Sequence, residues 1–216
     1  TDWHADYLDS HKADGIILLG YGDYLQSRPK LDVLAAHGTH FVRWGAVLAD
    51  QPGLSIGCDN FQGGFDVTHH LTKLGRRRIA FLGHASNHYP EFFERYRGYS
   101  AALQAAGLPC DPRLQVDAIT TQAAGHAAAR QLLDRDLPCD AIVAASDLIA
   151  IGAMRALQEA RIDVPTQVSV VGFDDIPAAS LTRPPLTTVM QDTHLAGEVL
   201  VETLLKVVQG LPAQSQ

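Results

Sequence analysis

The chain has 216 residues, of which 46% are hydrophobic and 19% are charged, a composition typical of a folded globular protein and not of a disordered one. With 17 Lys and Arg against 24 Asp and Glu, the net charge is −7, and no basic cluster is longer than residues 76–78, so the chain is not expected to hold DNA by itself. No apolar stretch approaches the roughly 20 residues of a membrane helix, so the sequence predicts no membrane span.

Short apolar or β-branched runs alternate with helical patterns along the chain, and each run predicts a strand. Most of the runs are almost continuously apolar, as expected for strands buried on both faces of a parallel sheet. In chain order, the predicted strands are residues 15–19, 40–42, 54–58, 78–83, 114–118, 140–145, 168–173 and 187–190. This alternation predicts an α/β protein whose parallel sheets are covered by crossover helices.

Apolar spacing and helix-ending residues predict the helices between these strands. Gly75 and Gly107 each follow a helical pattern and suit the position just after a helix, where glycine turns the chain without a steric penalty. Ser146 or Asp147 can cap the N-terminus of another helix. The predicted helices cover residues 63–74, 91–106, 122–134, about 147–160 and 193–209.

Both ends of the sequence are expected to interrupt this alternation. A helix that leads directly into the first strand is predicted from Trp3, Tyr7 and Leu8. The sequence is therefore expected to start within the alternation of strands and helices. Residues 211–216 are predicted to trail off without regular structure.

Motifs for catalysis, nucleotide binding and metal binding are weak. Gly20 and Gly22 follow a strand, but Leu25 stands where the third glycine of a dinucleotide fingerprint would fall, and neither a phosphate loop nor a nucleophile elbow is found. The ten histidines lack a nearby set of partner ligands. The three cysteines form no CxxC pair and favour a reducing compartment. We therefore predict no enzyme activity, no metal and no cofactor.

Polar residues follow four of the predicted strands, at the carboxyl ends where a doubly wound sheet opens its ligand crevice. Carboxylates and arginines beside an aromatic ring suit a ligand rich in hydroxyl groups, because each hydroxyl can both donate and accept. Two simpler interpretations stay open, namely a helix cap at 146–147 and a turn at 174–175. The residues are Arg43 and Trp44, Asp59 and Asn60, Ser146 and Asp147, and Asp174 and Asp175.

Several segments, taken together, carry a more specific signal. They are residues 58–60 with the glycines at 63–64, the arginine and glycine at 95 and 98, and an ordered run of motifs from residue 140 to residue 192 that includes SD at 146–147, VSVVGFDD at 168–175 and PPLTTV at 184–189. These segments resemble the effector-binding core of the LacI/GalR family of bacterial transcription regulators. The resemblance covers essentially the whole chain and is strongest from Gly57 onward.

The resemblance implies a periplasmic-binding-protein-like core of two doubly wound parallel-sheet subdomains with an effector in the cleft between them. Residues 1–58 with 190–216 are expected to form the N-terminal subdomain, which would be incomplete, and residues 59–189 the C-terminal subdomain. Crossovers between them are expected at residues 59–60 and 186–189. Family members also carry a helix-turn-helix domain, which residues 1–216 do not include, so operator DNA would be bound only through that missing domain.

The resemblance also implies roles for individual residues. Arg95 is expected to hold the effector, and Asp174 to accept hydrogen bonds from its hydroxyl groups. Ser146 stands where a relative often has Asn, Thr120 where relatives often stack an aromatic ring, and Arg43 where an acidic residue is common. These departures leave the ligand open, and Arg43 would suit an anionic sugar. The full predicted ligand set is Arg95, Asp174, Ser146, Asp147, Trp44, Arg43, Asp59 and Thr120.

The predicted function is that of an allosteric, cytoplasmic transcription regulator that senses a small, sugar-like effector. A homodimer is expected, with the helix from residue 147 and residues 178–181 contributing to its interface. The alternative is a periplasmic sugar-binding protein of an ABC transporter, which shares the fold. A signal peptide would separate the two. Residues 184–191 and the unpaired cysteines favour the regulator.

Overall fold

Two parallel sheets organise the computed structural model, which describes residues 13–20, 22–135 and 137–216. The elements in chain order are β1 (Ile16–Leu19), α1 (Tyr24–Ala36), β2 (Phe41–Trp44), β3 (Leu54–Ile56), α2 (Asn60–Lys73), β4 (Ile79–Leu82), α3 (Pro90–Ala105), β5 (Gln115–Val116), α4 (Gln122–Asp134), β6 (Ala141–Ala144), α5 (Asp147–Glu159), β7 (Ser169–Asp174), β8 (Thr187–Met190) and α6 (Thr193–Val208). Short 3₁₀ helices cover Pro112–Leu114 and Pro177–Leu181. The predicted α/β class and all eight predicted strands are confirmed.

The chain divides into two compact units. The first unit comprises the described residues up to Cys58, together with Asn87–Pro90 and Asp192–Gln216. The second comprises Asp59–Ser86 and Glu91–Gln191. None of the helices in the described residues is long and apolar enough to cross a membrane.

The first unit has a parallel sheet in the order β1-β2-β3 with a helix on each face. Phe41 of β2 is buried with Leu31 of α1. Its neighbour Val42 is buried with Leu200 of α6. Because consecutive strand residues point to opposite faces, α1 and α6 cover opposite sides of this sheet.

Helix α1 is an element that the sequence did not predict. Its apolar residues show almost no helical periodicity, and Pro29 lies inside it. Asp23 caps it by accepting a hydrogen bond from the N–H of Gln26 at 3.2 Å. The segment Asn87–Pro90 lies beside the N-terminus of α1, where the N–H of Tyr24 donates to the carbonyl oxygen of His88 at 2.8 Å. The predicted helix through Trp3 lies outside the described residues.

The end of the chain pairs with the outer edge of β3, whereas residues 211–216 were predicted to have no structure. The N–H of Gly57 donates to the carbonyl oxygen of Gln216 at 2.8 Å, and the N–H of Gln216 donates to that of Ser55 at 3.1 Å. Ser215 adds a side-chain bond, since its Oγ accepts from the N–H of Ser55 at 3.0 Å. The tail is neither helix nor strand, but its last two residues are held to the sheet.

The second unit has a parallel sheet in the order β5-β4-β6-β7-β8. Every residue of β4 and β6 is buried, as their apolar sequences predict. The chain winds outward from β4 to β5 and then returns to β6, so the switch point of a doubly wound sheet lies between β4 and β6. Ligand crevices form outside the carboxyl ends of the strands at such a point.

We predicted the second crossover at residues 186–189, but these residues belong to the second unit. Thr187–Met190 forms the edge strand β8, which pairs with β7 from Val171 opposite Thr187 to Asp174 opposite Met190. The second unit ends only at Gln191. The four-residue pairing therefore keeps this segment in the larger sheet.

Glycines allow α4 and α5 to pack in backbone contact. A Cβ at Gly125 would lie 2.2 Å from the carbonyl oxygen of Ile149, and a Cβ at Gly152 would lie 2.1 Å from that of Gln122. These distances are far below van der Waals contact, so both positions require glycine at this helix separation. Helix α5 begins three residues after the end of β6, so its N-terminus lies at the carboxyl edge of the sheet.

Candidate functional site

Arg95 is the centre of a buried polar cluster in the second unit. Only 5% of the residue is exposed. Its Nε donates to Asn60 Oδ1 at 2.8 Å, and its Nη1 donates to the carbonyl oxygen of Ala145 and lies 3.5 Å from Asp174 Oδ1. The guanidinium carbon lies 3.6 Å from the centre of the Phe173 ring, a cation–π contact. These contacts fix the guanidinium at the carboxyl end of β6.

Two glycines of α2 make room for this cluster. A Cβ at Gly64 would lie 2.2 Å from the carbonyl oxygen of Arg95. A Cβ at Gly63 would lie 2.6 Å from the Phe173 ring. The glycine pair therefore lets α2 approach both the backbone that carries Arg95 and the ring on which its guanidinium stacks.

Asp174 ends β7 and presents its carboxylate beside Arg95. Its Oδ1 accepts hydrogen bonds from Gln191 Nε2 and Arg95. No hydrogen bond within the described residues reaches Oδ2, and 24% of the side chain is exposed. Burial raises the pKa of Asp174, and the charge of Arg95 and the amide of Gln191 oppose that rise. One carboxylate oxygen is therefore left to accept a hydrogen bond from a ligand.

Asp147 is a buried carboxylate whose hydrogen bonds reach the turn after β7 and strand β8. The residue is completely buried at the start of α5. Its Oδ1 accepts from Thr188 Oγ1 at 2.6 Å, and its Oδ2 accepts from the N–H of Ile176 at 2.9 Å. Burial raises its pKa, and these hydrogen bonds lower it. Both oxygens accept hydrogen bonds inside the protein, and ligand contact by Asp147 stays a prediction.

Ser146 and Asp59 are both helix caps in the structure. Ser146 Oγ accepts from the N–H of Ile149 at 3.4 Å and caps α5, which confirms one of the simpler interpretations. Asp59 Oδ1 accepts from the N–H of Gln62 at 2.8 Å and caps α2. Thr120 is exposed in the loop between β5 and α4. Ligand contact by Ser146, Asp59 and Thr120 stays a prediction.

Arg43 and Trp44 belong to the first unit, and their side chains point to opposite faces of its sheet. The Arg43 guanidinium is buried, donating to the carbonyl oxygen of Ala46 at 2.8 Å and to Gln51 Oε1 at 3.2 Å. It thereby braces the loop that follows β2. Trp44 packs beside Leu200 on the α6 side. A ligand role for Arg43 and Trp44 also stays a prediction.

The structure thus brings four of the predicted residues together at the carboxyl edge of the larger sheet, namely Arg95, Asp174, Ser146 and Asp147. Most of the side chains that fix them were not predicted as their partners from the sequence. Phe173 is the neighbour of Asp174, and Gln191 belongs to the run that carries the family resemblance. Their roles depend on the pairing of β7 with β8, which no local pattern reveals. The missed partners are Phe173, Thr188 and Gln191, whereas Asn60 was already among the polar residues expected at the strand ends.

The cluster offers hydrogen-bond donors and acceptors of the kind that bind a polar ligand. A serine, a histidine and a carboxylate lie near the same edge, with Ser86 Oγ 3.0 Å from His84 Nδ1. His84 Nε2 is, however, 3.9 Å from Asp117 Oδ2, which is too far for the hydrogen bond that orients a catalytic histidine. Within the described part of the chain, no group of His, Cys, Asp and Glu residues could hold a metal ion. The arrangement can donate to and accept from polar groups of a ligand.

Comparison with known proteins identifies the family to which the chain belongs. The family model of the periplasmic binding protein-like domain matches residues 68–216. The HTH-type transcriptional regulator CelR of Thermobifida fusca is 35% identical over 206 residues, which cover 94% of this chain and 59% of that protein. The ribose operon repressor of Escherichia coli K12 is 30% identical over 213 residues, covering 99% and 64%.

A solved structure gives the same result. The complex of the regulator CelR with cellobiose superposes with a TM-score of 0.89 at 33% identity, covering 99% of this chain and 65% of that one. The chain spans about three fifths of the length of the curated relatives named above. It belongs to the periplasmic binding protein-like domain family, in the form found in the effector-binding cores of LacI-family transcriptional regulators.

Proposed function

We propose that the chain is the effector-sensing part of a LacI-type transcriptional regulator and that its effector is a sugar or a sugar derivative. The observation that carries the proposal is the pair formed by Arg95 and Asp174. A fixed guanidinium donates and the free oxygen of a carboxylate accepts, which matches adjacent hydroxyl groups of a sugar. The likeness to a regulator solved with cellobiose and to a ribose operon repressor supports this class of ligand.

The effector would bind at the Arg95–Asp174 cluster and favour one conformation of the protein over another. That change would alter operator binding by a helix-turn-helix domain outside residues 1–216, and the relatives named HTH-type transcriptional regulators support the presence of such a domain. The protein would act as a homodimer in the cytoplasm and would have no enzyme activity. Since the similar proteins are transcriptional regulators, the comparisons favour this function over an ABC transporter receptor.

Isothermal titration calorimetry on the 216-residue chain tests the ligand class directly. The panel contains cellobiose, ribose, a glucuronate disaccharide for the anionic case, and glycerol as a control without a ring. We expect at least one sugar to bind. Asp174→Asn and Arg95→Ala should each weaken binding by about 2 kcal/mol or more, because ligand hydroxyls lose a charged partner.

Glu94→Gln is the matched control, because Glu94 precedes Arg95 on α3 and pairs at the surface with Arg97 at 2.8 Å. This variant should bind the sugar as the parent chain does. The proposal fails if no sugar of the panel binds. The site assignment fails if the two site variants fold and bind with parental affinity.

A further inference from the structure

We propose that Asp147 is a positioning residue for Asp174, holding the turn that aims the ligand-accepting carboxylate. This inference rests on the proposed function, because it concerns how that site is built. Asp147 lies at the start of α5, and Asp174 lies at the end of β7. The two residues are connected through the backbone that follows Asp174 and through a side chain of β8.

The direct connection is to the turn itself. Asp147 Oδ2 accepts from the N–H of Ile176, two residues after Asp174, at 2.9 Å. Asp147 Oδ1 accepts from Thr188 Oγ1 at 2.6 Å, and the same Thr188 oxygen accepts from the N–H of Asp175 at 3.4 Å. The buried carboxylate therefore holds two successive amides, one directly and one through Thr188.

The turn needs such support because its backbone is unusual. Asp174 has a φ of +122° and Asp175 a φ of +57°, and neither is a glycine. L residues rarely adopt these conformations, which persist only where the surroundings enforce them. The direction of the Asp174 side chain depends on that backbone. A loss of the amide hydrogen bonds would let residues 174–176 relax and would turn the carboxylate away from Arg95.

Gly172 gives independent support, because its lack of a side chain makes room for the carboxylate. A Cβ at Gly172 would lie 2.2 Å from Asp147 Oδ1. The Asp147 side chain thus lies directly against the backbone of β7, two residues before Asp174. Such contact between a carboxylate and a strand is what a positioning role requires, and the Asp147 residue is completely buried.

The test compares Asp147→Asn with Asp140→Asn. Asp140 is a matched control, because its carboxylate also accepts two backbone N–H bonds, from Arg77 at 2.8 Å and from Arg78 at 3.0 Å. Those bonds lie at the amino end of β6, away from Asp174. Both variants should lower the melting temperature. Only Asp147→Asn should weaken sugar binding, by about tenfold or more, and speed amide exchange of the peptide containing residues 175–176.

Thr188 supplies a second pair of variants if Asp147→Asn does not fold. Thr188→Val removes the hydroxyl with little change of shape, and Thr188→Ser keeps it. We expect Thr188→Val to speed exchange at residues 175–176 and to weaken binding, and Thr188→Ser to restore both. Unchanged amide exchange at residues 175–176 in Asp147→Asn would overturn the proposal. If Asp147→Asn does not fold, the same result in Thr188→Val would overturn it. Equal losses of sugar affinity in Asp147→Asn and Asp140→Asn would also overturn it. If the parent chain binds no sugar, the proposed function fails, while amide exchange still decides the positioning role.

Discussion

At the scale of single residues, Asp174 must be ionised to accept hydrogen bonds well, although its surroundings disfavour the charge. Burial raises its pKa above the usual value of 3.8, and Arg95 and Gln191 oppose the rise. We expect sugar affinity to fall as the pH is lowered from about 7 toward the raised pKa, because the protonated carboxyl is a weaker acceptor. Calorimetry at several pH values measures this. Circular dichroism at each pH serves as the control for folding, and a flat affinity profile down to about pH 4 would contradict the role of Asp174.

The same pKa shift has a consequence for stability. A carboxyl whose pKa is higher in the folded chain than in the unfolded chain binds more protons when folded. Its contribution to the free energy of unfolding therefore decreases as the pH rises from 3.8 through the raised pKa. At about pH 7, the Asp174 carboxylate is charged, and Asp174→Asn removes this disfavoured buried charge. We therefore expect the melting temperature to rise while sugar binding weakens. A lower melting temperature would show that the contacts with Gln191 and Arg95 outweigh the cost of burial.

At the scale of elements, the packing of α4 on α5 depends on a glycine. In Gly152→Ala, the new methyl group would lie 2.1 Å from a backbone oxygen, so the two helices must separate. We expect a loss of about 2–3 kcal/mol in the free energy of unfolding, measured by urea denaturation. Gly197→Ala on α6 is the control, because nothing lies within 4 Å of its Cβ position. It should gain about 0.5–1 kcal/mol from helix propensity. Equal stabilities for the two variants would refute this account of the packing.

The elements also show which structural information is local in the sequence. Strands such as β4 and β6 were predicted because burial on both faces demands an unbroken apolar run. The start of α5 was predicted because a serine before a helical pattern is a local capping signal. Helix α1 was missed because Pro29 and the polar residues around it remove the apolar period, and packing of Tyr24 and Leu31 against the sheet helps to stabilise it. Tertiary contact overrode local preference there.

In the candidate site too, some features could be predicted from local sequence and others depend on contacts between distant parts of the chain. Arg95 and Asp174 could be predicted because they stand in motifs that resemble a family. The positioning role of Asp147 could not be predicted, because its partner Thr188 lies 41 residues away along the chain. Only the pairing of β7 with β8 brings the two together. Where a polar residue follows a buried strand, the sequence alone does not distinguish a ligand contact from a support for one.

At the scale of the whole molecule, the proposed homodimer predicts a specific interface residue. Leu181 is 80% exposed at the end of the 3₁₀ helix Pro177–Leu181. Helix α5 exposes only Arg155, Gln158 and Glu159 near its end, so its contribution is confined to that end. We expect Leu181→Glu to weaken the dimer in sedimentation experiments at about 10–50 μM.

Leu74→Glu is the control for this prediction, because Leu74 is 60% exposed at the end of α2. It should leave the sedimentation coefficient unchanged. A parent chain that sediments only as a monomer would argue against dimerisation through this surface. So would a Leu181→Glu variant that dimerises as strongly as the parent.

The contact between the end of the chain and β3 also bears on solubility. A parallel sheet ends at strands whose unpaired N–H and C=O groups are templates for association with another chain. Here the groups of Ser55 and Gly57 on the outer edge of β3 are occupied by Ser215 and Gln216. A shortened version that stops at Gly210 would uncover this edge beside the apolar residues Leu54 and Ile56. We expect such a chain to be more prone to edge-to-edge aggregation than the chain that ends at Gln216.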